Sequence, residues 1–130
     1  MCVVRITARV SEAVLDMEIM MALRRKVGGA AFEEMFESAL CDVTERLSII
    51  DRAMAKEDHQ TASVEALALS AIASRFGLMS VGSVARTLHD CCEANDPVAA
   101  GAVAARLSRL GERCVLAAAE VSVDLGVTAQ

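Results

Sequence analysis

Glu65-Ala66-Leu67-Ala68-Leu69-Ser70-Ala71-Ile72-Ala73-Ser74-Arg75-Phe76-Gly77 is the stretch on which the fold and the function of this chain turn. Leu69, Ile72, Ala73 and Phe76 recur at helical spacing and form one bulky face suited to a core. Leu67, Ser70, Ala71 and Ser74 fall at steps of three and four on another face, where only Leu67 is large. Gly77 ends the segment, as glycine does where a helix must stop. The helix is thus expected over about Thr61 to Phe76, capped by Thr61 or Ser63, with Leu67 on or near the surface.

Working outward, the strongest periodicity precedes it. Phe32, Phe36, Ala39, Val43, Leu47, Ile50 and Met54 make a narrow apolar stripe over Ala30 to Lys56. The opposite face carries Glu33, Glu34, Glu37, Asp42, Glu45 and Arg52. The acidic stretch Glu57-Asp58-His59-Gln60 breaks this helix and places His59 in a turn. An earlier helix is expected from about Ser11 to Val27, started by Ser11 with Glu12 and stopped at Gly28-Gly29. Beyond Gly77 come a helix over Ser80 to Glu93 and one from Pro97 to about Val121. Asp96 caps the latter, and Pro97 takes its first position.

Composition agrees. Across 130 residues the chain is 55% hydrophobic but 2% aromatic, with one proline, so its core is built from aliphatic side chains that favour helix. The class is all-α. Short connections make the last four helices an up-down-up-down antiparallel bundle, with the additional N-terminal helix over one end. Residues 1–10 are an arm, either extended or helical, and 11–130 a single bundle domain.

The net charge of −5 gives no footprint for nucleic acid, and Arg24-Arg25-Lys26 complements a helix C-terminus. Five cysteines without framework spacing fit a reduced, cytoplasmic chain. Cys2-Val3-Val4-Arg5-Ile6 is too short and charged for a signal sequence or membrane span. Cys91 and Cys92 beside His89 lack a second ligand pair, so no metal or other cofactor is expected. Met17, Met20 and Met21 suit either the core or a homodimer surface. No Walker loop, zinc-helix motif or nucleophile elbow suggests an enzyme.

From Leu15 to about Ala118 the order of these pieces resembles the histidine-containing phosphotransfer (Hpt) domain of multistep two-component phosphorelays. Leu15-Asp16-Met17-Glu18 through Val27-Gly28-Gly29 is similar to the family's opening helix, Phe32 to Met54 to its long second helix, and Glu57-Asp58 to the acidic start of its reactive helix. Gly77-Leu78, Leu88 and Asn95-Asp96 fit the remainder. That reactive helix carries His, Leu two later, Lys three later, Gly four later and Gly ten later. Counting back from Gly77, the positions hold Leu67, Leu69, Ser70, Ala71 and Gly77. The scaffold residues match, while the nucleophile, its cationic neighbour and the clearance glycine differ. Leucine cannot form a phosphoramidate.

The resemblance implies a bacterial-type signalling adaptor that docks a response-regulator receiver domain or histidine kinase without carrying phosphate. Its contact surface would be Ser63, Leu67, Ser70, Ala71, Ser74 and Arg75. One alternative is active phosphotransfer through His89, expected roughly level with Leu67 on the next helix and followed by Asp90. Another is a helical interaction or oligomerisation module outside phosphorelay.

Overall fold

The computed structural model describes the backbone of residues 7–10 and 13–128 and the side chains of residues 15–121. Its elements are two short strands, β1 (Thr7–Val10) and β2 (Ala13–Asp16), then α1 (Met17–Val27), α2 (Gly29–Ala55), α3 (His59–Arg75), α4 (Met79–Glu93) and α5 (Pro97–Thr128). Helices α2 to α5 pack as a ring in which each touches the next and α5 returns to α2. This is the expected all-α, antiparallel bundle, with α1 laid against α2.

The apolar stripes point inward. Phe32, Phe36, Val43 and Ile50 of α2 are buried, as are Leu69 and Ala73 of α3. Val81, Ala85 and Leu88 of α4 and Leu107, Leu110 and Cys114 of α5 complete the core. The three phenylalanines gather where α2 meets α3, with ring centroids of Phe36 lying 5.1 Å from Phe32 and 5.8 Å from Phe76.

Several boundaries differ from the expectation. Helix α1 starts at Met17 rather than Ser11, because the Asp16 carboxylate accepts the backbone N–H groups of Glu18 (3.0 Å) and Ile19 (3.2 Å). Ser11 and Glu12 lie outside the described residues. Residues 13–16 pair antiparallel with 7–10 instead of being helical. An isolated two-stranded hairpin is marginal in water. Here it is tied to the α3–α4 turn: the Asp16 N–H donates to the Gly77 carbonyl at 2.8 Å, and Leu15, fully buried, bridges Leu78. Helix α3 is capped by Asp58, not by Thr61 or Ser63, and His59 is its first residue. Hydrogen bonds from the Thr61 hydroxyl and N–H hold the Asp58 carboxyl below its ordinary pKa. Helix α5 continues past Val121 to Thr128, since no proline interrupts it. The Asp96 cap and Pro97 start are as expected. No helix among the described residues is long and apolar enough to cross a membrane.

Candidate functional site

Helix α3 is held on three sides. Ala62, Ala66, Leu69 and Ala73 face the core. Towards α2, Glu65 pairs with Arg46 at 2.9 Å, and Arg46 also pairs with Asp42 at 3.2 Å. Towards α4, the Ser70 hydroxyl donates to the Gly82 carbonyl at 3.0 Å. At Gly82 an added Cβ would sit 2.8 Å from the Ser74 hydroxyl oxygen, so glycine allows the close approach of the two helices.

What remains of α3 faces water. Val64 is 61% exposed and Leu67 43%, with Ala71, Ser74 and Arg75 also exposed. The spacing of 64, 67 and 71 makes one apolar row along the outer surface. Of the residues expected at the partner surface, Leu67, Ala71, Ser74 and Arg75 therefore lie together. Ser63 does not: it is 3% exposed and turned into the α3–α4 seam. Ser70 is half-buried, with its hydroxyl committed to Gly82. Val64 was absent from the expected set, although its helical spacing from Leu67 and Ala71 was visible in the sequence.

The α3–α4 register follows from two contacts, Ser63 with His89 and Ser70 with Gly82. They are seven residues apart on each helix, so Ala85 and its neighbour Arg86 lie level with Leu67. His89 is level with Ser63, about one turn away from the expected position. Its Nδ1 lies 2.9 Å from Ser63 Oγ and 3.1 Å from the Ser63 carbonyl oxygen. Ser63 Oγ donates to Glu93 Oε2 at 2.8 Å. A carbonyl only accepts, so these bonds are satisfied together when Nδ1 carries the proton, which leaves the lone pair on Nε2 in the neutral ring.

The cations around the row are engaged. Arg46 serves Asp42 and Glu65, Arg86 lies 3.6 Å from Asp90, and the Arg75 guanidinium sits over the Phe76 ring at 5.7 Å. Phosphoryl transfer depends on a nucleophile with cations or donors near the moving charge. At position 67 the side chain supplies neither, and it can do little beyond burying apolar area.

Among the described residues the cysteines are free thiols. Cys92 and Cys114 are buried, and burial raises both thiols, Cys114 to about 11. Among the described residues no three His, Cys, Asp or Glu side chains are grouped to hold a metal ion.

The solved structure of histidine-containing phosphotransfer protein B (HptB) from Pseudomonas aeruginosa PAO1 matches this architecture with a TM-score of 0.78. The match covers 85% of this chain and 95% of that one, at 15% sequence identity. The fold is Hpt-like. At that identity the likeness establishes the Hpt-like bundle and leaves the chemistry to the residues. No family model and no curated protein matches the sequence.

Proposed function

We propose that this protein is a pseudo-phosphotransfer adaptor: a single Hpt-like domain, bacterial and cytoplasmic, that binds receiver or kinase domains of a phosphorelay without carrying phosphate. The observation that supports this most is the exposed row Val64–Leu67–Ala71 on α3, with Leu67 at the position to which the sequence resemblance, counted back from Gly77, assigns the histidine of an Hpt domain. An exposed leucine on a helix locked from both sides is a preorganised apolar contact. Burying its remaining surface on a partner is worth on the order of 1 kcal/mol, and the neighbouring Val64 adds to it.

The test is calorimetric titration of the chain with the receiver and kinase domains of its own organism. Wild type is expected to bind at least one, and Leu67→Gln to weaken that complex by about tenfold or more. Leu67→His is expected to acquire some label from a phosphorylated receiver, limited by Ser70 and Ala71. Binding that ignores Leu67→Gln would end the adaptor reading. A complete lack of receiver or kinase binding would favour a helical interaction module outside phosphorelay.

A second reading, active phosphotransfer through His89, is favoured by one detail. The Ser63 carbonyl fixes the proton on Nδ1 and so leaves Nε2 nucleophilic. In that step Nε2 bonds to the phosphorus of an aspartyl phosphate while the bond from phosphorus to the carboxylate oxygen breaks, and the carboxylate leaves. Acid-labile label on wild type that disappears in His89→Ala would establish it. Unlabelled wild type would remove it.

A further inference from the structure

Helix α5 lies diagonally across the bundle from α3 and carries a second apolar face in water. Val98, Ala102, Ala105, Arg109, Glu112 and Leu116 follow one another at alternating steps of four and three, and all are exposed. That spacing is the one by which two helices mesh along a shared ridge. Val98 at 83% and Leu116 at 66% are the most exposed large apolar side chains among the described residues. The N-terminal methionines offer less surface: Met20 is fully buried, and Met17 and Met21 are half-buried.

The two charges at the middle of the ridge have opposite signs. Arg109 donates to the Ala105 carbonyl of its own helix at 3.3 Å. Neither it nor Glu112 forms an ion pair among the described residues.

We infer that this chain forms a homodimer in which the α5 ridges of two copies pack antiparallel about a two-fold axis midway between Arg109 and Glu112. The axis sets Arg109 opposite Glu112 of the second copy and Glu112 opposite its Arg109, so one symmetry operation makes two ion pairs. Leu116 then meets Ala105 of the second copy, next to Gly101. A Cβ at Gly101 would meet no atom within 4 Å, so the large side chain has room there. Ala102 meets Ala119 in the layer beyond, and both are exposed. A parallel pair would set Arg109 on Arg109 and Glu112 on Glu112, which repel. Arg106 and Arg113 flank the ridge in exposed positions on the α4 side, where water and salt screen their charges.

From Val98 to Ala119 the ridge is about 33 Å long, and one helix from each copy makes an interface of the small class, below about 1,200 Å². The dimer is therefore a reversible one. The inference does not rest on the adaptor reading. Where both hold, α3 lies on the far side of each copy, and the dimer offers two Leu67 rows at once.

Sedimentation equilibrium of the full chain over a concentration series tests the dimer. Wild type is expected to pass from monomer to dimer, with half the chains paired below about 1 mM, and to stop there because a two-fold contact closes at two copies. Arg109→Glu and Glu112→Arg, both at exposed positions, should each weaken pairing about tenfold or more, since each sets like charges face to face. An equimolar mixture of the two variants should pair, and the double variant R109E/E112R should regain the homodimer. Leu116→Gln should weaken pairing about tenfold, and Leu67→Gln should leave it unchanged. A wild type still monomeric at about 1 mM, growth beyond the dimer, or a mixture of the two variants that stays monomeric overturns the inference. If receivers bind through Leu67 while the chain remains a monomer, only this inference falls. If the dimer forms and no receiver or kinase binds, the dimer stands and the adaptor reading falls.

Discussion

Helices α3 and α4 are antiparallel neighbours that bury comparable inner faces and share one seam, yet they present different surfaces to water. The exposed side of α4 carries Ser83, Arg86, Thr87 and Asp90, with Arg86 and Asp90 paired along the helix. The exposed side of α3 carries Val64, Leu67, Ala71 and Ser74. Bundle packing explains both inner faces and neither outer one. Beyond its first residue, the exposed Met79, the exterior of α4 is polar and needs only water, whereas the apolar row of α3 gains when another surface covers it.

The joint between the two helices offers the most severe way to break this comparison. Gly77 has φ +84°, and a Cβ there would lie 2.8 Å from the Asp16 carbonyl oxygen and 3.1 Å from Met20 Cγ. Gly77→Ala is expected to cost about 2–3 kcal/mol, combining left-handed strain with a backbone clash. Urea unfolding would measure it. A cost close to zero would mean that the turn and hairpin do not set the position of α3.

The seam is the next target. Ser63→Ala strips Glu93 of its donor and His89 of its hydroxyl partner in a partly buried place. A loss of about 1–2 kcal/mol is expected, again by urea titration. A smaller loss would show that the small-residue contact at Gly82 holds α3 by itself.

On the outer faces the expected stability changes are small and the contrast lies in binding. Leu67→Gln should alter stability by no more than about 0.5 kcal/mol while weakening the partner complex. Arg86→Ala on α4 should likewise cost at most about 0.5 kcal/mol, because its ion pair with Asp90 is exposed. If the arginine rather than the leucine controlled partner affinity in calorimetry, the functional face would move from α3 to α4.

Much of this is legible in the amino-acid sequence. The steps of Phe32, Phe36, Val43 and Ile50, and of Leu107, Leu110 and Cys114, fixed both the helices and their inner sides. Asp96-Pro97 and Gly77 marked ends that the structure keeps. The misjudged details involve competition between local signals or contacts between distant segments. Ser11 and Asp16 were both able to cap a helix, and Asp16 prevails because its own N–H is anchored to Gly77 across the chain. Thr61 and Ser63 were plausible caps for α3, but Asp58 accepts from Thr61 and Ser63 turns inward to His89 and Glu93.

The sequence alone determined the helical class, the order of the helices, the faces they bury and the absence of a nucleophile at position 67. These follow from side-chain periodicity and chemical identity, which belong to the local chain. Tertiary structure decided which small residue lies in the seam and which on the surface, and where His89 stands relative to Leu67. Those features depend on the register between helices, which is set by contacts among residues far apart in sequence and cannot be read from any single segment.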